Sequence, residues 1–257
     1  MRIALVLVAI AAFAASRRWA KFEGEMQHPA DDPPDAASPA EFAFGRLRYR
    51  SPYDRAGYRH HRWGTDANRS ERTFLVALRR LSRVDAKSIE QIVDIDSDEI
   101  FDYPFLYAVA AGHWSLDDAQ AKRLRSYLER GGFLVVDDLH NETEWSNFMT
   151  GLRQAIPGHQ YEEIPEDDSI FHVVHRLDRS VQVSGYNIVW GSPYERGGYV
   201  PGWRAIRDDG GRIVVSAWFN QDLGDAWEWA DDPRYPEKLA SLAFRFGVNW
   251  VVYSMTH

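Results

Sequence analysis

The sequence predicts an α/β domain with a mostly parallel sheet, helices on both faces and a β-hairpin. Three observations carry this. Residues 105–136 spell strand, helix, strand within about thirty residues, the pattern of a βαβ unit closing right-handed onto a parallel sheet. Strand and helix patterns alternate on either side of that unit. Asp208-Asp209-Gly210-Gly211, between two apolar runs, is the turn signal of a hairpin.

Arg2 precedes thirteen apolar residues, Ile3 to Ala15, and Ala12, Ala14 and Ala15 follow the small-residue pattern of a signal-peptidase site. A helix of that length spans about 20 Å, short of a bilayer core of roughly 30 Å. Residues 1–16 are therefore expected to export the chain to the periplasm or cell envelope. The alternative is an uncleaved anchor with Trp19 at the interface. Residues 17–40, with Pro29, Pro33, Pro34 and Pro39 among Asp31, Asp32 and Asp35, are expected to form a polar tether.

Residues 41–257 are expected to fold as one domain. Phe42–Arg50 suggests a first strand, and Ser51–Asp66 an Arg-, Tyr- and Gly-rich loop. Phe74, Leu75, Leu78 and Leu81 recur at helical spacing within Ser70–Val84. Phe105–Ala110 is a continuous apolar run, as in a strand buried on both faces. Ser115 is the expected cap of the next helix, lined by Leu116, Ala119, Leu124 and Leu128 and stopped at Gly131-Gly132. Phe133–Val136 is a second buried strand ending in Asp137-Asp138. Asn141 and Glu144 pair as caps of a helix to Ile156. Phe171–Leu177 and Val181–Val183 are expected strands. Ala205-Ile206 and Ile213–Trp218 form the hairpin, and Pro236 opens a last helix burying Leu239, Leu242, Ala243 and Phe246.

The formal charge of -8 and the lack of a Lys/Arg stripe argue against a nucleic-acid partner. Cysteine is absent, which removes disulfides, thiolate metal sites and any thiol nucleophile.

FDYPFLYAVAAGHWSLDDAQAKRLRSYLERGGFLVVDD at 101–138 resembles the DUF4159 family of bacterial proteins. So do GYRHHRWGTD at 57–66, NQDLGDAWEWADDPRYP at 220–236 and FGVNWVVYSMTH at 246–257. The resemblance implies a flavodoxin-like, class I glutamine amidotransferase-like sheet, and no defined activity. Glutaminases of that superfamily attack with a Cys on the turn after a strand. Here Asp137, Asp138, Leu139 and His140 stand at that turn, so no covalent intermediate can form and no ammonia release from glutamine is expected. No G-x-S-x-G elbow offers a serine instead.

In open α/β sheets ligands gather at the carboxyl ends of strands. Two strands here end in polar clusters: Gly112-His113-Trp114, then Asp137-Asp138 with His140. Asp and His suit a divalent metal or an acid/base pair, and Asp138 and His140 are the catalytic candidates. Successive strand residues face opposite ways, so only one aspartate can enter a given site unless the chain turns there. The plainer reading makes these aspartates a helix cap and a backbone-amide acceptor. His60, His61, Arg55, Arg59 and Arg62 could grip an anion or simply be solvated. His172 and His175, three apart on an expected strand, cannot share a metal. Asp222, Asp225 and Glu228 interleave with Trp227 and Trp229, the composition of a saccharide site or of ordinary packing.

The sequence thus expects a binding module of the cell envelope, using His113, Trp114, Asp137, Asp222, Asp225, Trp227 and Glu228. Its ligand would be a small molecule, a glycan or a protein of a membrane complex. The sequence calls for no cofactor, though the Asp/His pattern admits a divalent metal. The rival function is a hydrolase built on Asp138 and His140. The loops after residues 110 and 138 are expected to meet Asn220–Trp229 in one site.

Overall fold

The computed structural model describes residues 18–54 and 60–257. The expected leader, and Arg55 and Arg59 of the cationic loop, lie outside them. Seven strands form one sheet: β1 (Gly45–Arg48), β2 (Gln91–Asp94), β3 (Phe105–Val109), β4 (Phe133–Leu139), β5 (Tyr161–Glu163), β6 (Gly202–Arg207) and β7 (Ile213–Phe219). Their spatial order is β2-β1-β3-β4-β7-β6-β5. The first five in that order run parallel, and β6 and β5 add an antiparallel edge. The 2-1-3-4 run gives the flavodoxin-like arrangement. β3, β4 and β7 are buried along their whole length, which is why they read as unbroken apolar runs.

Among the described residues five α-helices cover the faces: α1 (Arg69–Leu81), α2 (Asp118–Glu129), α3 (Asn141–Ala155), α4 (Leu223–Glu228) and α5 (Glu237–Thr256). Leu106, Ala108, Leu134 and Val136 point to one face and pack with Leu124, Leu128, Phe148 and Leu152 of α2 and α3. The alternate residues Phe105, Tyr107, Phe133 and Val135 point to the other, against Phe74, Trp227, Phe246 and Trp250 of α1, α4 and α5. Among the described residues, no helix is long and apolar enough to cross a membrane.

Several expectations are corrected. The cap of α2 is Asp117, not Ser115: its carboxylate accepts from Ala119 N and Gln120 N (both 2.9 Å), and the Gln120 side chain answers its backbone N–H. Charge at the helix start makes the carboxylate the better acceptor. Ala119 is exposed, and Ala121 takes its place against the core. Phe171–Leu177 and Val181–Val183 form no strands. Asn249 of α5 takes the backbone groups a strand would have used, accepting from His175 N (2.9 Å) and donating to the Ile170 and His175 carbonyls (2.8 and 2.9 Å). The sheet edge is instead filled by β5, an exposed Tyr-Glu-Glu segment with no apolar alternation to announce it.

The Pro/Asp-rich stretch expected as a tether is strapped along the domain. Gln27 N and His28 N donate to Gly64 O and Ala67 O (2.8 and 3.0 Å), and Asp32 and Asp35 pair with Arg72 and Arg79 (2.9 and 2.8 Å). Such a segment is held by polar contacts to its host, which its own composition cannot reveal.

Candidate metal centre

The carboxyl ends of β3, β4 and β7 share one edge, where the backbone departs from regular geometry. Ala110, Asp138, Asn141 and Asn220 all have positive φ, between 51° and 58°. Non-glycine residues held there cost about 1–3 kcal/mol each and gather at functional sites. The register of β4 on β7 shifts between Val136 and Leu139. This turn sends Asp137 and Asp138 to separate partners.

Asp137 points into the face beneath α4. It accepts from Tyr107 OH (2.6 Å), Leu223 N (3.2 Å) and Gly224 N (2.7 Å), so it caps α4. Burial pushes its carboxyl up to about 7 against the pull of those donors.

Asp138 points to the edge. Its Oδ1 accepts from the Arg196 guanidinium and lies 3.1 Å from His140 Nε2. Burial alone would raise this carboxyl, but Arg196 and His140 overcome it and hold Asp138 well below the usual carboxylate range. Arg196 also reaches Glu144 (2.8 Å), whose other oxygen accepts from His140 N (2.9 Å); His113 Nε2 stands 3.3 Å from Glu144.

Ligand atoms of Asp138, His140, Glu195 and Asp222 all lie within 4.8 Å of one another and could hold a metal ion. His140 is buried, and neither ring nitrogen has a hydrogen-bond partner; the approach of Nε2 to Asp138 is close but not aligned. Glu195 is pushed up to about 8 and Asp222 well above its ordinary value. Burial is the first cause in both, and neighbouring carboxylates the second. Gly185 is required here: a Cβ would fall against Glu195 and within 2.7 and 2.8 Å of Asp222 and Asp225 oxygens. An orphaned imidazole facing three carboxylates, with no side chain filling the gap, fits the N/O donor set of a transition-metal site.

Glu195 and Arg196 ride on residues 185–201, which cross over the edge. Gln182 Nε2 donates to Gly198 O (2.9 Å), Asn220 Nδ2 to Val200 O (2.6 Å) and Asn141 Nδ2 to Arg196 O (3.0 Å). The outer side of this segment carries Trp190, Tyr194, Tyr199 and Val200, with Trp190 72% and Tyr199 68% exposed. Beside it opens a cavity of about 300 Å³ lined by Tyr199, Glu142, Glu163, Arg204 and Phe219.

A family profile described as a domain of unknown function, DUF4159, matches residues 43–255. The chain belongs to the DUF4159 family. All four candidate ligands of this DUF4159 domain fall within the matched residues. Among curated proteins none matches the chain.

Of the residues singled out in the sequence, the DUF4159 fold brings Asp138, His140 and Asp222 together, with His113 at the rim through Glu144. Asp225 and Glu228 lie in a neighbouring buried cluster with Asp66. Two are placed elsewhere. Trp114 is buried, stacked on Phe148 and donating to Phe148 O (3.2 Å). Trp227 is buried against Phe74. Both are core: Trp114, just after β3, stacks under α3, and Trp227, within α4, faces α1. His61 lies 3.3 Å from Glu25, and Arg62 stacks over Tyr53, whose ring meets His113 edge-on at the rim. Sequence reasoning missed Glu195, Arg196 and Asp66. The only local signal was a Glu-Arg pair beside Gly197-Gly198, within a segment of no periodicity.

Proposed function

We propose that the protein is a ligand-binding module ordered by a divalent cation. The cation is held by Asp138, His140, Glu195 and Asp222, and it fastens residues 185–201 to the carboxyl edge of the sheet. Trp190, Tyr194 and Tyr199 are then presented to a ligand as one rigid surface. The observation that carries this reading is His140, buried with both ring nitrogens unpartnered among three carboxylates. The donors come from three pieces of chain, so an ion would cross-link them. In its absence the Arg196 guanidinium does part of that work on Asp138 and Glu144.

Imidazole with carboxylates favours Mn²⁺ or Zn²⁺ over Ca²⁺. For four-coordinate Zn²⁺ the four protein donors fill the sphere, the mark of a structural rather than a catalytic site. Titration of metal-free protein with Mn²⁺ or Zn²⁺ is expected to give saturable binding and to protect residues 185–201 from protease. His140→Ala and Glu195→Gln should each weaken that binding at least about tenfold, a loss of ~1.4 kcal/mol. Unchanged binding and protection in both variants would remove the assignment.

Asp138 and His140, 3.1 Å apart beside the other donors, favour a second reading as a metal-assisted hydrolase. Turnover of a nitrophenyl ester or phosphate by metal-loaded protein, abolished by Asp138→Asn, would transfer the assignment to it.

A further inference from the structure

Behind the first cluster, Asp66, Asp225 and Glu228 bring carboxylate oxygens within 4.8 Å of one another. Asp225 and Glu228 stand three apart on α4 and so share a face. Asp66 reaches them from the loop before α1. The Glu228 side chain is fully buried, and neither of its oxygens has a hydrogen-bond donor; Asp66 Oδ2 is likewise buried without one. His28, on the N-terminal strap, places Nδ1 2.6 Å from Glu228 Oε1, off the hydrogen-bond axis and with no other partner.

The cations nearby are committed elsewhere. Arg46 is spent on Glu71 and on the carbonyl oxygens of Trp63 and Thr65, and Arg69 pairs with Asp231 at the surface. Asp225 keeps a donor, Tyr186 N (2.6 Å), but the Glu228 carboxylate and Asp66 Oδ2 have none, and buried carboxylate oxygens so placed must share protons or a metal ion. We infer that Asp66, Asp225 and Glu228 form a second divalent-cation site, with His28 beside it against Glu228, distinct from the one at Asp138 and His140.

Three carboxylates suit a hard divalent ion such as Mn²⁺. The two sites meet at α4, where Asp222 caps the first turn by accepting from Asp225 N (2.9 Å). This second site does not depend on the first, since the two donor sets share no residue.

The test is equilibrium dialysis of metal-stripped full-length protein against Mn²⁺, with metal counted per chain. Two ions are expected for the wild type, one for Glu228→Gln, one for Asp66→Asn and one for His140→Ala. Both carboxamide variants preserve shape, and either suffices should the other fail to fold by circular dichroism. One ion in the wild type, lost in His140→Ala but kept in Glu228→Gln and Asp66→Asn, would overturn the second site and leave the first. One ion lost in Glu228→Gln but kept in His140→Ala would remove the first site and uphold this one. No bound Mn²⁺ in the wild type would overturn the second site, and the same dialysis against Zn²⁺ would then decide the first. Two ions in every variant would overturn this one.

Discussion

Asp137 and Asp138 are adjacent in sequence, yet the turn in β4 gives one of them backbone amides and the other a guanidinium and an imidazole. Their substitutions should therefore separate. Asp137→Ala leaves the Tyr107 hydroxyl and the first amides of α4 without an acceptor in a buried place. A loss of about 2–4 kcal/mol is expected from chemical denaturation, since each orphaned group costs about 1–3 kcal/mol. Asp138→Asn keeps the side chain's shape but gives up the charge that Arg196 and His140 stabilise, and should cost about 1–2 kcal/mol, less than Asp137→Ala, while weakening metal binding. Equal stability losses for the two would contradict this division of labour. The pair was legible in the sequence as a candidate, and so was the choice between cap and ligand. Which aspartate did which depended on a one-residue register shift that composition does not encode.

At the scale of elements, α5 shows how a helix face is set by its neighbours. Gly247 lies mid-helix, where glycine ordinarily costs about 1 kcal/mol relative to alanine. Its reason is close approach: a Cβ would run into the Phe74 ring of α1 and come within 2.8 Å of Trp227 in α4. Gly247→Val should destabilise the fold by about 1–3 kcal/mol through overpacking. Because α4 carries Asp222, Asp225 and Glu228, the same variant should also loosen metal binding. Unaltered denaturation midpoints would show that α1 and α4 can yield. Long periodic elements such as α1 and α5, and the apolar strands β3, β4 and β7, were readable because one residue period fixes each. The short β5, with no apolar pattern, and residues 171–183, whose backbone is taken up by Asn249, were not.

The whole molecule concentrates buried acid at one edge of its sheet, and this sets how stability answers pH. Glu195 and Glu228 titrate at about 8 in the folded chain, raised by burial and by neighbouring carboxylates from an ordinary 4.5. Groups with raised folded values take up protons on folding, so the stability they confer is full below about pH 4.5 and is lost as pH rises through about 8. Asp138 and Glu144 are shifted the other way, and their contribution disappears only below their ordinary values near 4. The melting temperature of metal-free protein should therefore fall between about pH 5 and pH 8, and saturating Mn²⁺ should flatten that fall by supplying the missing charge. A profile rising over the same interval would show that the edge carboxylates are not coupled as described. The sequence by itself determined the α/β class, the βαβ unit, the hairpin, the family and the exclusion of thiol chemistry, because those rest on residue period, local turn chemistry and composition. It also brought Asp138, His140 and Asp222 to notice, through their places at strand ends. Only the tertiary structure decided that Glu195 and Asp66 join them, that Trp114 and Trp227 belong to the core, and that the Pro/Asp-rich strap lies on the domain. Those are contacts between segments far apart in the chain, fixed by how the sheet orders its strands, and no local pattern carries that order.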